Sequence, residues 1–137
     1  MKILVIDNNT IFREKLTSWL FKEGHDVCDV GYGPETLNIL QEYHFDVITL
    51  DLKLLPVNGT STVSQIHEVC PNASIIVISA TLDVRLTVEL IRSGAVACLT
   101  KPVDFEVLRD ELARLRPGSR TPTTAPTLSL DYELQTS

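Results

Sequence analysis

Four short apolar runs in this chain each end on a polar residue. Ile3-Leu4-Val5-Ile6 runs into Asp7, Val47-Ile48-Thr49-Leu50 into Asp51, Ile75-Ile76-Val77-Ile78 into Ser79, and Val96-Ala97-Cys98-Leu99-Thr100 into Lys101. Runs this short and this rich in β-branched residues fit strands buried on both faces, the condition of a parallel sheet covered by helices. In an open sheet of that kind, ligands bind in the crevice beyond the carboxyl ends of the strands. Two carboxylates, a hydroxyl and an ammonium, far apart in sequence, are therefore expected to meet at one edge of one sheet.

The segments between the runs carry helical periodicity. Phe12, Leu16, Trp19 and Leu20 share one face of a helix expected over Thr10 to about Lys22, with Gly24 as its stop. A shorter, more polar strand follows at Asp26–Val30, as suits a sheet edge. Gly33-Pro34-Glu35 predicts a helix opening with proline in its first turn, and Leu37 and Leu40 form its buried stripe. The third strand is expected at Phe45–Leu50, with Pro56 and Gly59 punctuating the loop after it. Val63, Ile66 and Cys70 keep helical spacing up to Pro71, and Ser74–Ile78 is the fourth strand. Asp83 can cap a helix that runs to Arg92 and ends at Gly94, before a fifth strand at Ala95–Thr100. A last amphipathic helix, starting near Asp104, is marked by Phe105, Leu108, Leu112 and Leu115. This alternation predicts an α/β fold with right-handed crossovers, a doubly wound five-stranded parallel sheet. With the polar second strand at the edge, the order is 2-1-3-4-5, the flavodoxin-like arrangement.

Composition bounds the function classes. The 137 residues allow one domain with a sizeable core, and 44% apolar content is that of a globular chain. A net charge of -6 disfavours a nucleic-acid-binding surface. No run approaches a membrane span, and the chain starts directly on a strand, so the expected location is cytoplasmic. The three cysteines, Cys28, Cys70 and Cys98, form no CxxC and read as small hydrophobes in a reducing compartment. His25, His44 and His67 lack metal-ligand spacing and read as surface or strand-edge residues. From Pro117 the chain turns rich in Pro, Thr and Ser, so the expected division is a domain at 1–116 and a linker or disordered tail at 117–137. Leu128, Leu130, Tyr132 and Leu134 alternate with polar residues; they fit an added strand or, more simply, a frayed end.

Taken in order, these residues resemble the receiver domain of two-component response regulators. Ile6-Asp7-Asn8-Asn9 stands where that family has an acidic pair, with Arg13 on the first helix. Phe45 to Asp51, followed by Pro56 and Gly59, resembles the phosphoacceptor strand and its loop. Ser79-Ala80, Gly94-Ala95 and Lys101-Pro102 match the later motifs, and the resemblance covers about residues 1 to 116. It implies a phosphoryl group passed from a sensor histidine kinase or phosphotransfer protein to Asp51, and a conformational switch in response. Such a chain is a signalling domain and not an enzyme, beyond its own phosphorylation and dephosphorylation. The resemblance gives Lys101 the role of counter-charge and Ser79 that of switch hydroxyl. Magnesium is the implied cofactor, held by Asp7, Asp51 and the backbone carbonyl of Lys53.

Three residues depart from the family pattern. Asn8 replaces an acid that is often a direct ligand, so its contribution to magnesium is expected to be weakened or indirect. Cys98 replaces the aromatic residue that usually swings on activation, leaving loop movement to carry the signal. Pro56 lies one position late. Lys53 and Thr81 occupy the positions that, by resemblance, tune the acyl phosphate's lifetime. Two other readings compete. Loss of the acid at Asn8 suits a pseudo-receiver that acts by phosphorylation-independent protein contact. Asp7-Asn8-Asn9-Thr10 also resembles the Asp-x-Asp-x-Thr loop of haloacid-dehalogenase-like phosphatases, but Asn9 lacks the second carboxylate and no late acidic pair follows Lys101. The expected partners are a kinase or phosphotransfer protein and an effector, with neither nucleic acid nor membrane. A homodimer through the fourth and fifth helices is a further possibility under the resemblance, with Arg85, Glu89 and Arg92 on the output surface.

Overall fold

The structure, a computed structural model, describes residues 1–52, 59–116 and 127–128. Strands and helices alternate: β1 (Lys2–Ile6), α1 (Thr10–Lys22), β2 (Asp26–Val30), α2 (Thr36–Glu42), β3 (Val47–Leu50), α3 (Gly59–Val69), β4 (Ser74–Ser79), α4 (Val84–Ser93), β5 (Ala95–Thr100) and α5 (Phe105–Leu115). The sheet is parallel with order β2-β1-β3-β4-β5, as the alternation predicts. A short strand, β6 (Thr127–Leu128), adds to the far edge in parallel, with Thr127 opposite Ala97 and Leu128 opposite Cys98. The alternating segment at the chain's end thus begins as a strand at these two residues.

Successive strand residues point to opposite faces, and this divides the core in two. On one face Leu4, Ile6, Ile48, Leu50, Ile75 and Val77 pack with Leu40 of α2, Val63 and Ile66 of α3, and Leu90 of α4. On the other, Ile3, Val5, Val47, Ile76 and Ile78 meet Leu16 and Leu20 of α1 and Leu108 and Leu112 of α5. Most of these side chains are fully buried, each contributing about 1.5–3 kcal/mol relative to exposure. Both faces are thereby closed, and the strand ends are left as the place where polar side chains can gather.

Local chemistry fixes the helix ends. The Asn9, Asp83 and Asp104 side chains accept from the backbone N–H groups of Phe12, Leu86 and Glu106, capping α1, α4 and α5. Gly94 ends α4 with φ +128, where a Cβ would also come within 2.9 Å of the His67 ring. The opening of α2 differs from expectation. Pro34 and Glu35 lie in a turn ahead of the helix, because Thr36 closes that turn on Gly33 through both its N–H and its hydroxyl. Strand β3 begins two residues later than its apolar run, at Val47. Asp46 instead uses its side chain to accept from the Lys2 N–H at 2.8 Å.

Two single-residue readings are corrected. Cys28 is exposed on the β2 edge, so only Cys98 behaves as a fully buried small hydrophobe; Cys70 is half-buried and donates its thiol to the Leu40 carbonyl. Burial pushes the Cys98 thiol up to about 12. His25 is buried, not a surface residue, with Nδ1 3.2 Å from the Met1 amino group. Burial, and then the charges of the chain's amino end and Arg116, hold its imidazole below the ordinary value. Pro56 and Lys53 lie outside the described residues.

Candidate functional site

Three of the four strand-end residues are set by hydrogen bonds that extend the sheet ladders by one residue. The Asp7 N–H donates to the Val30 carbonyl, that of Asp51 to Ile6, and that of Lys101 to Ser79, at 3.0–3.1 Å. The ladders therefore hold these backbones rigidly while the side chains, freed of the sheet's alternation, turn into the crevice. The Lys101–Pro102 bond is cis.

One ammonium joins the carboxylates. Lys101 Nζ donates to Asp7 Oδ2 at 2.9 Å and to Asp51 Oδ2 at 3.1 Å. Asp7 and Asp51 are 2% and 3% exposed, and the lysine side chain 16%, so these charges are mostly removed from water. Burial of that kind strengthens the attraction and raises the cost of leaving any member unpaired. The second Asp7 oxygen accepts from the Asn9 N–H at 2.8 Å, which ties the carboxylate to the start of α1. Arg13 spends its guanidinium elsewhere, donating to the Asp7 carbonyl and, 3.0 Å away, to the Asp29 carboxylate. Among the described residues the cluster thus joins two carboxylates to one ammonium.

Ser79 is fully buried beside this cluster, on the strand next to that of Lys101. Its Oγ accepts from the Thr81 N–H at 3.2 Å and lies 3.3 Å from the Thr81 hydroxyl. The hydroxyl is thereby committed to the segment leading into α4. Asn8, by contrast, is exposed and turns its amide oxygen toward the loop after β2, accepting from the Tyr32 N–H at 2.8 Å. The loop passes close enough that a Cβ on Gly31 would lie 2.6 Å from that oxygen, so a larger residue there would push the Asn8 side chain aside. Sequence reasoning missed Tyr32 as Asn8's partner, and it missed the Phe12 ring, whose centroid lies 4.2 Å from Lys101 Nζ. A helical stripe marks Phe12 as apolar but cannot say which cation it meets.

The donor set suits a hard divalent cation. Two buried carboxylates converge on one point, and magnesium needs only one or two carboxylates because it retains waters. Among the described residues no group of three or more His, Cys, Asp or Glu side chains is placed to hold a metal.

A doubly wound parallel sheet with two carboxylates, a serine and a lysine at its carboxyl edge defines a class, the flavodoxin-like α/β domains, with a polar site where such sheets place their ligands. Comparison makes the class specific. The chain matches the family model of the response regulator receiver domain over residues 3–113, and it belongs to that family. It is 29% identical over 102 residues to the chemotaxis protein CheY of Thermotoga maritima, covering 74% of this chain and 85% of that one. It is 28% identical over 116 residues to the transcriptional regulatory protein ZraR of Escherichia coli K12, covering 82% of this chain but only 25% of ZraR. The chain thus spans about a quarter of the length of that relative. Among solved structures, a response regulator from Burkholderia pseudomallei, described with a phosphorylated aspartic acid, a calcium ion and citrate, aligns with TM-score 0.74 and 29% identity over 86% of this chain and 68% of that one. Residues 3–113 are therefore a receiver domain of two-component signalling, which is a signalling domain. No helix among the described residues is long and apolar enough to cross a membrane.

Proposed function

We propose that Asp51 accepts a phosphoryl group from the phosphohistidine of a sensor kinase or phosphotransfer protein, and that the chain signals by the change that follows. The observation that carries this reading is the convergence of Asp7, Asp51 and Lys101 on one buried point beside Ser79. In the step, an Asp51 carboxylate oxygen attacks phosphorus, the P–N bond breaks, and the leaving imidazole nitrogen keeps the electron pair. Such transfer is mostly positioning and neutralisation of charge. Asp51 is positioned by its backbone bond to Ile6, and Lys101 carries a movable point charge to a phosphoryl oxygen. Magnesium, when bound, would screen the repulsion between carboxylate and phosphoryl oxygens; Asp7, Asp51 and the Lys53 carbonyl would hold it, with Asn8 contributing weakly or through water. Ser79 then gives its hydroxyl to the phosphoryl group and leaves Thr81, so the segment before α4 moves.

Residues 1–116 form the receiver in this reading, in the cytoplasm, and 117–137 a linker or tail of which Thr127 and Leu128 pair with β5. The fourth and fifth helices offer a face for a second copy or an output partner. Incubation with acetyl phosphate and magnesium, followed by intact mass, tests the proposal. One added phosphate, absent from Asp51→Ala, is the expected result. A second reading, a phosphorylation-independent interaction module, is favoured by one observation, the commitment of Asn8 to Tyr32. Absence of any adduct would establish it over the first. Steady turnover of a phosphate ester that depends on Asp7 would instead favour a phosphatase.

A further inference from the structure

We infer that Phe12 is a positioning residue for Lys101: its ring holds the ammonium on the two carboxylates in the resting protein and so governs how readily a divalent cation enters. The inference rests on the reading of Asp7 and Asp51 as the cation's ligands. Three observations carry it. The ring centroid lies 4.2 Å from Nζ, well inside the range in which an aromatic face attracts an ammonium. The ammonium already donates to Asp7 and Asp51, so the ring and the carboxylates form one cage around it. The lysine side chain is only 16% exposed, so water competes little for the charge.

The ring itself has a fixed seat. Asn9 caps the first turn of α1 by accepting from the Phe12 N–H at 3.0 Å, and the side chain packs against the cluster containing Leu16 and Leu108. The Asn9 N–H in turn holds Asp7, so one short segment sets the carboxylate, the cap and the ring together. A cation that takes the Oδ2 atoms of Asp7 and Asp51 must displace Nζ from them. Whatever the ring adds to the resting position of Nζ is subtracted from the cation's affinity. A leucine of similar bulk at position 12 would keep the packing and remove the π face, whereas tyrosine would keep both.

The test uses the full chain with no phosphodonor present. Magnesium chloride is titrated calorimetrically into wild type, Phe12→Leu and Phe12→Tyr, and the Lys101 ε-methylene protons are followed by NMR. The expected result is an upfield ring-current shift in wild type that survives in Phe12→Tyr and disappears in Phe12→Leu. With it, magnesium affinity should rise about five- to tenfold in Phe12→Leu alone. An unshifted methylene in wild type, equal affinity in Phe12→Leu and wild type, or a Phe12→Tyr that follows Phe12→Leu would each overturn the inference. Failure of all three proteins to bind magnesium would overturn it together with the metal site. Failure of acetyl phosphate to modify Asp51, with the magnesium response intact, would overturn only the phosphoacceptor reading.

Discussion

Replacing Lys101 by methionine removes the one ammonium that, among the described residues, bridges the two buried carboxylates. The Asp7 and Asp51 oxygens that share Nζ lie within the span of two hydrogen bonds, ~6 Å. At an effective dielectric of ~20 their mutual repulsion is then about 3 kcal/mol or more. Methionine fills the same space without screening that repulsion, so the substitution is expected to destabilise the fold by about 3–5 kcal/mol, the usual cost of breaking a buried pair from one side. The charge count also predicts the partner substitution. Asp51→Asn leaves one carboxylate with one ammonium, and it should be as stable as wild type or more stable by about 1 kcal/mol, as expected where an active site trades stability for function. The double variant, with one carboxylate and no ammonium, should recover part of what Lys101→Met loses. Urea unfolding of the four proteins at constant pH, read as a double-mutant cycle, gives the coupling directly. Added magnesium should stabilise Lys101→Met more than wild type, since a bound cation restores the missing charge. A loss under about 1 kcal/mol for Lys101→Met, or a double variant no more stable than Lys101→Met, would refute the reasoning.

Two other substitutions follow from the same environment. Asn8→Asp should keep the bond from the Tyr32 N–H, which a carboxylate also accepts, and add a negative charge next to Asp7; if Asp7 and Asp51 hold magnesium as proposed, it should bind about tenfold more tightly by calorimetry. An unchanged affinity would show that position 8 does not bear on the metal. Cys98 makes a pH prediction. Its thiol ionises near 9.0 when exposed and is held to about 12 by burial, so the stabilisation is complete below the exposed value and is lost as pH climbs toward the buried one. The loss should reach about 1 kcal/mol by pH 10 and about 3 kcal/mol by pH 11. Cys98→Ala should unfold with a correspondingly flatter alkaline limb, and an identical limb would contradict the assignment.

The fold was legible because each strand is a local run and each helix a local stripe. Ile75 to Ile78 and Val47 to Leu50 announce burial on two faces, and Asp83, Asp104 and Gly94 mark helix ends by chemistry that acts within a few residues. The gathering of Asp7, Asp51, Ser79 and Lys101 followed from topology, since parallel strands share one carboxyl edge. What escaped were contacts between side chains whose meeting no periodicity encodes. His25 is buried against the Met1 amino group, Asn8 turns to Tyr32, and the apolar stripe residue Phe12 covers the lysine that follows β5. The β6 pairing escaped for the same reason: two residues carry too little pattern to name the strand they join. Boundary shifts at Pro34 and Phe45 arose where a hydroxyl or a carboxylate took over backbone hydrogen bonding.

The bridge between Lys101 and Asp7 closes a sequence separation of 94 residues, and that between Lys101 and Asp51 one of 50. Strand β5 follows every other element of the doubly wound unit except α5, and contacts of long sequence separation form late because loop closure must be met first. A nascent or partly folded chain that has assembled β1 and β3 therefore holds both aspartates side by side without their ammonium. The site becomes chemically complete only when the last long strand docks. Competence to receive a signal is in this way tied to completion of the fold.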